Sequence, residues 1–389
     1  MSGDRQQVPQ WPRWAGWIGL IVLGLLLLPA VREFYIVEGR RWLYIFLVSS
    51  SLAFSLTPFL IDMGIRWGLV DQPSARKIHE RPVPRIGGVA VYIGFTFAIV
   101  ANAILEGWMV AVLFAGSVLL VIGLVDDAKG LPAWLRLGAQ LGTAALVIAS
   151  GVKLTLLPSG FVGDAINVGL TVLWIVGITN AFNFFDGMDG LASGLAMLMA
   201  FFMGVVAYET DQAGLAWLAV GMVGGSLGFF FYNFRVQKGP ALIFLGDGGA
   251  TFMGFTLACL AVKGNWADDN PLVSFSNPLL IFGLLIYDMI HITVERIVTG
   301  KVHTVKEWID YVGKDHLHHR LERVLGSRRV SVEVIFALAI CLGLAAIVLR
   351  GADLRDAVLL LAQAALIVII VTIMEQRVRN ANQEGGKAE

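Results

Sequence analysis

The feature that most limits how this chain can fold is a succession of apolar runs, each close to the 20 residues or so that a helix needs to cross a bilayer. Twelve can be traced, roughly 14–32, 41–64, 86–105, 107–125, 134–151, 167–184, 190–208, 214–233, 249–264, 272–298, 330–349 and 354–375. Their hydrophobicity is continuous rather than alternating, which predicts helices and not the strands of a membrane barrel. With 57% hydrophobic and only 15% charged residues, the chain carries more apolar surface than a soluble domain can bury. An all-α integral membrane protein with no separate soluble domain is expected.

Charge sets the orientation. If the N-terminus is cytoplasmic, 22 of the 29 Lys and Arg residues fall on that side, the asymmetry that positive-inside insertion produces. The first run has no small-residue cleavage site after it and reads as an uncleaved anchor. Basic and acidic residues balance at 29 each, so nothing points to nucleic acid. Cys259 and Cys341 lie in apolar runs and read as packing residues rather than a disulfide or a thiolate metal site.

Given this topology, the polar motifs all fall in loops on the Lys/Arg-rich side. The loop 68–88 holds Arg76, Lys77, His79, Arg81 and Arg85 among three prolines; it reads as a stiffened phosphate-binding loop or a headgroup anchor. Asp126 and Asp127 are adjacent at a helix end, where two carboxylates repel unless a cation or proton relieves them. On a helix they diverge by about 100°, so at most one aims at a given metal. In Asn180-Ala-Phe-Asn-Phe-Phe-Asp-Gly-Met-Asp-Gly190, the residues Asn180, Asn183, Asp186 and Asp189 step by three. A straight helix would turn that series through about 180°, and Gly187 and Gly190 suggest a break. Asn183 is expected to face a metal, Asp186 to lie beside it and Asp189 to serve another part of a substrate.

Asp247 sits between glycines at a helix start, where capping and metal binding can coexist. The 299–329 segment reads as a loop with His316, His318 and His319 among basic residues. Phosphate contacts suit these histidines better than zinc, which needs four well-spaced ligands. Asp288, His291 and Glu295 share one helical face, either as a packing network or at the border of the site.

Together, VDQPSARKIHERPVPRIGG, GLVDD, NAFNFFDGMDGLASG, FYNFRVQKGPALIFLGDGG and DHLHHRL occur in an order that resembles the polyprenyl-phosphate N-acetylhexosamine-1-phosphate transferases. These form the WecA/TagO-like branch of the superfamily that includes the MraY translocase, within glycosyltransferase family 4. The likeness runs from about Val37 to Ile373 and implies about 11 family-type helices plus one extra N-terminal helix. The division would be 1–40 (extra helix and short loop), 41–376 (transferase domain) and 377–389 (cytoplasmic polar tail), with a cytoplasmic active site in the inner membrane. One departure stands out: the branch commonly has Asp-Arg shortly before the histidines, where this chain has Gly313-Lys314.

The resemblance further implies attack of undecaprenyl phosphate on the β-phosphate of a UDP-amino sugar, with UDP-N-acetylglucosamine indicated by the PVPRIGG form. UMP would be released and a lipid pyrophosphoryl sugar formed. Mg²⁺, or Mn²⁺ in its place, would be held by Asp247 and Asn183. Asp126 would position or deprotonate the lipid phosphate and Asp127 orient the metal shell. Asp186 and Asp189 would either support the metal's ligands or face the sugar. Arg136, His316, His318 and His319 would neutralise phosphate oxygens, with Arg76, Lys77 and His79 also binding substrate, and Asn233 and Phe244 would hold the uracil. A homodimer is compatible with the likeness. Other classes fit less well: a secondary transporter should show two similar halves, and a UbiA-like prenyltransferase should show paired Asp-rich repeats. A CDP-alcohol phosphotransferase should have a tighter acidic series than DGMDG.

Overall fold

The computed structural model describes residues 14–73, 81–234, 239–266, 271–311 and 313–385. In chain order the elements are α1 (Trp14–Leu26), α2 (Pro29–Val37), α3 (Arg41–Trp67), β1 (Val70–Asp71), β2 (Val83–Pro84), α4 (Gly88–Ala101), α5 (Gly107–Lys129) and α6 (Ala133–Ala149). There follow α7 (Phe161–Phe184), α8 (Leu191–Glu209), α9 (Ala213–Asn233), α10 (Gly246–Lys263), α11 (Pro271–Ile281), α12 (Gly283–Val298), α13 (Val305–Asp310), α14 (Leu317–Leu325), α15 (Arg328–Leu349) and α16 (Leu354–Gly385). The two short strands pair antiparallel, Asp71 opposite Val83.

Among the described residues seven helices are long and apolar enough to cross a membrane, and two bent pairs raise the number to nine. The protein is therefore a multi-pass helical membrane protein. Each of the twelve apolar runs coincides with a helix or a bent pair, but α4 and α6 are shorter than a full crossing and α10 is not among the spanning helices either. Two runs expected as single spans are bent. The first turns by 67° between α1 and α2, just ahead of Pro29, which supplies no amide donor to continue the helix. The tenth turns by 72° between α11 and α12, at a break flanked by Pro278 and Gly283. The segment read as a long loop contains α13 and α14. Thr304 caps the first of these through its hydroxyl, which accepts from the Glu307 N–H.

Buried packing is heaviest around α8, α9 and α10, whereas the described part of α16, Leu354–Glu375, is mostly exposed. The start of α10 is drawn into contact with α4 and α5 by facing glycines. A Cβ on Gly88 would stand 2.1 Å from the Gly249 Cα, and one on Gly123 would stand 2.2 Å from the Gly248 Cα. Backbone therefore touches backbone there, which brings Asp247 beside the end of α5.

Candidate active site

The last turn of α5 sends its two carboxylates to different partners, as their 100° separation requires. Asp126 is buried and accepts from Arg136 Nη1 at 2.8 Å and from the Leu131 N–H at 2.5 Å, which pins the turn into α6. Asp127 points toward α10, where its Oδ2 accepts the Asp247 N–H at 2.8 Å. It thus satisfies one of the orphan amides of the first turn of α10. Gly246 makes this approach with φ of +78°; a side chain there would strike the Arg85 carbonyl and the Asp127 carboxylate. Arg85 lies 3.8 Å from Asp127 and is ion-paired with Asp71 on β1.

The end of α7 supplies the second wall. The helix stops at Phe184, before Asp186 and earlier than the expected break at Gly187, so only Asn180 and Asn183 share its helical face. Asn180 exchanges hydrogen bonds with Gln140 of α6, at 2.6 and 3.2 Å. Asn183 Nδ2 donates to Asp247 Oδ1 at 3.3 Å. On its other side, Asp247 Oδ2 is 3.7 Å from Arg136 Nη1. Asp189 accepts the Ala241 N–H at 2.8 Å and ties the turn to the segment before α10. Burial, together with the charges of Asp247, Asp127 and Asp189, holds the Asp186 carboxyl well above the usual carboxylate range.

The third wall is the histidine segment, organised by Asp288 of α12. This fully buried carboxylate accepts from His316 Nδ1 and from the Leu317 N–H, both at 2.7 Å, with Arg320 Nη2 at 3.4 Å. Of the three-residue face on α12, Asp288 holds this segment, and His291 lies 3.6 Å from Glu295 on the same helix. Asp315, next to His316, forms a two-pronged pair with Arg296 at 2.8 Å on each arm, and Tyr311 lies under that guanidinium. Although burial opposes it, the pair holds the Asp315 carboxyl below the usual range. A carboxylate–guanidinium pair thus precedes the histidines even though Gly313-Lys314 departs from the family pattern.

His318 is buried between aromatic neighbours. Its ring is 5.7 Å from Phe185, parallel to His316 at 6.0 Å, and 4.2 Å from His319. It lies over the Asp186–Asp189 turn, where a Cβ on Gly187 would come within 2.3 Å of its Nε2. Burial first, then His319 and His316, push its basicity well below the ordinary imidazole value. Its surroundings thus favour the neutral imidazole. His319 is also lowered by burial, against the pull of Glu322, 3.6 Å away.

The structure thus gathers Asp126, Asp127, Asn183, Asp186, Asp189, Asp247, Arg136, His316, His318 and His319 at one end of the bundle. Phe244 is half-buried beside them, its backbone bonded to Pro84 and Gly87. Asn233 is 3% exposed and its amide is engaged internally: it accepts from the Gly190 N–H and the Ser193 hydroxyl and donates to the Ile243 carbonyl. Arg76, Lys77 and His79 lie outside the described residues. Two members were not singled out from sequence as site residues. Arg85 was one of five loop cations with no spacing to distinguish it, and Asp288 stood equally well as helix packing.

Among the described residues no three His, Cys, Asp or Glu side chains form a ready-made metal cage. Mg²⁺ asks for less, since it commonly takes one or two carboxylates and keeps waters and substrate phosphates. The oxygen donors of Asp247 and Asn183, with the mutually repelling acids around Asp186, fit such a hard cation.

Fold and site together define a multi-pass membrane protein whose acids and cations are assembled at one end of a helical bundle. The chain belongs to glycosyl transferase family 4, whose family model matches residues 109–265. A probable undecaprenyl-phosphate N-acetylglucosaminyl 1-phosphate transferase of Bacillus subtilis (strain 168) is 35% identical over 315 residues, 79% of this chain and 85% of the relative. A decaprenyl-phosphate N-acetylglucosaminephosphotransferase of Mycobacterium tuberculosis (strain ATCC 25618 / H37Rv) is 32% identical, covering 70% of this chain and 74% of the relative. An undecaprenyl-phosphate alpha-N-acetylglucosaminyl 1-phosphate transferase of Escherichia coli (strain K12) is 28% identical with the same coverage. The family likeness drawn from the five motifs is thereby borne out.

Proposed function

We propose that the protein transfers N-acetylglucosamine 1-phosphate from UDP-N-acetylglucosamine to a polyprenyl phosphate such as undecaprenyl phosphate. An oxygen of the lipid phosphate forms a bond to the sugar-bearing β-phosphorus, the bond from that phosphorus to the bridging oxygen breaks, and UMP leaves. The product is a lipid pyrophosphoryl sugar, the starting unit of a cell-envelope glycan. The observation that carries this reading is the convergence of Asp126, Asp127, Asn183 and Asp247 with the His316 segment, in a chain so similar to relatives of that description.

Physical roles follow from position. A lipid phosphate, with a second pKa of about 6, is already largely ionised near neutrality; Asp126 needs only to place it and accept its remaining proton. Arg136, between Asp126 and Asp247, is the cation best placed to move onto phosphate oxygens. Mg²⁺, or Mn²⁺ in its place, held by Asp247 and Asn183 with Asp127 orienting its shell, would neutralise charge on the departing UMP. His316, set by Asp288, faces the same charge, while neutral His318 shapes the turn carrying Asp186 and Asp189. All twelve apolar segments cross or enter the cell membrane in this reading. The site then lies on the cytoplasmic face, where the nucleotide sugar is available, and the protein works alone or as a homodimer.

The test is conversion of radiolabelled UDP-N-acetylglucosamine by membranes holding the protein. Labelled lipid and UMP should appear together and only when polyprenyl phosphate is present. Product formed without the lipid phosphate, or without UMP, would exclude this reading.

A further inference from the structure

The strongest polar group that the reaction leaves unexplained lies at the far end of α3. That helix has 27 residues and runs about 40 Å from Arg41 to Trp67, the end that adjoins β1 and the reaction centre. Beside Arg41 lies α2, turned 67° away from α1. Arg32 and Tyr35 share one face of α2, and Arg41 and Tyr44 share one face of α3, each pair three residues apart. These are the sheltered faces: Arg32 and Tyr35 are half-buried, whereas Glu33 and Glu38 are exposed. The two tyrosine rings meet at 5.9 Å, and the charge of Arg32 is felt at both Arg41 and Tyr44, so the two cations are neighbours.

One arm of Arg41 donates to the Asn102 carbonyl, and its guanidinium lies over the Trp217 ring at 4.7 Å. The Nε atoms of Arg32 and Arg41 are both buried without a hydrogen-bond partner, and among the described residues neither guanidinium pairs with a carboxylate. Two neighbouring cations with buried, unused donors are costly at a membrane boundary. An oxyanion accepting from both removes that cost, and the planar guanidinium fork suits a phosphate.

We infer that Arg32 and Arg41 bind a phosphate group, supplied by the headgroup of an anionic phospholipid in the leaflet opposite the reaction centre. The lipid source follows from the surroundings: Phe34, Ile36, Val37 and Trp42 are exposed next to the arginines and offer acyl chains an apolar seat that free phosphate does not use. The bound lipid joins α2 to α3 and secures the bend that follows α1.

Native mass spectrometry of the full-length protein, exchanged into detergent with phosphatidylglycerol, phosphatidylcholine or inorganic phosphate, tests this. The unmodified protein should retain phosphatidylglycerol. Arg32→Gln/Arg41→Gln should lower retention by about tenfold or more, while Arg40→Gln, on the exposed neighbour, should leave it unchanged. Transferase activity is expected to survive in the double variant, which shows that it is folded. Arg32→Lys/Arg41→Lys keeps the charges but loses the fork and should show a smaller fall. Equal retention by the unmodified protein and both double variants overturns the proposal. Displacement of the lipid by millimolar inorganic phosphate supports the phosphate contact and overturns the lipid assignment.

Discussion

Asp288 and His316, 28 residues apart in sequence, meet at 2.7 Å where α12 passes under the start of α14. Because the carboxylate accepts, Nδ1 carries the proton and the ring's other nitrogen is set in direction. Asp288→Ala strands His316 and Arg320 and should destabilise the protein by about 3–5 kcal/mol. Asp288→Asn keeps the shape and should fold, yet lower kcat by about 10- to 100-fold with little change in KM, and shift the pH profile of UMP release. An unaltered profile in the Asn variant would mean that Asp288 is only a packing residue.

Asp247 is tied to Asp127, Asn183 and Arg136. Asp247→Ala should reduce transfer by about 1,000-fold or more, and chelation of divalent cations should do the same to the unmodified enzyme. Restored activity on adding Mg²⁺ to the chelated enzyme, and none on adding it to the variant, is the expected pattern in a product-release assay.

His318 predicts a stability change with pH. Its folded value lies below the ordinary imidazole value of about 6.5, so between the two the unfolded chain binds a proton that the folded chain does not. Stability therefore falls as pH drops below about 6.5 and levels off under the folded value. Thermal unfolding from pH 7.5 to 5 should show this loss, and His318→Gln should lessen it.

Gln140 and Asn180 exchange two hydrogen bonds between α6 and α7, one turn from Arg136 and Asn183 respectively. A double-mutant cycle with alanine should give a coupling of about 0.6 kcal/mol, and no more than about 1.7, the range for bonds between membrane helices. Each single variant should also slow transfer, since the clasp fixes the spacing of the two site residues; a stability change alone would contradict that.

Gly88→Ala puts a methyl group against the Gly249 backbone, which has no side chain to swing away. A loss of about 1–3 kcal/mol in unfolding stability is expected. A larger effect on activity should accompany it, because the displaced start of α10 carries Asp247.

Apolar length and loop composition were enough to foresee the helices and the common end at which the motifs meet. Geometry on the page of the sequence was enough to separate Asp126 from Asp127 and to break the Asn180–Asp189 series. The bend between α11 and α12 was not legible, because Pro278 lies within an apolar run that reads as continuous. Nor were Arg85 and Asp288, whose importance comes from neighbours 42 and 28 positions away in sequence. The lowered basicity of His318 was hidden too: it depends first on burial against the turn that follows α7, where Phe185 lies 5.7 Å away.

Those separations have a consequence for biosynthesis. Asp127 meets its partner on α10 only after 120 further residues, and the Asp186–Asp189 turn receives His318 only when α14 has been made. Until then the nascent chain holds Asp126 and Asp127 at the membrane edge with Arg136 and Arg85 as their nearby counter-charges. Catalytic competence thus waits until α14 has been made, and a ribosome that stops before it leaves a membrane-inserted but inert product.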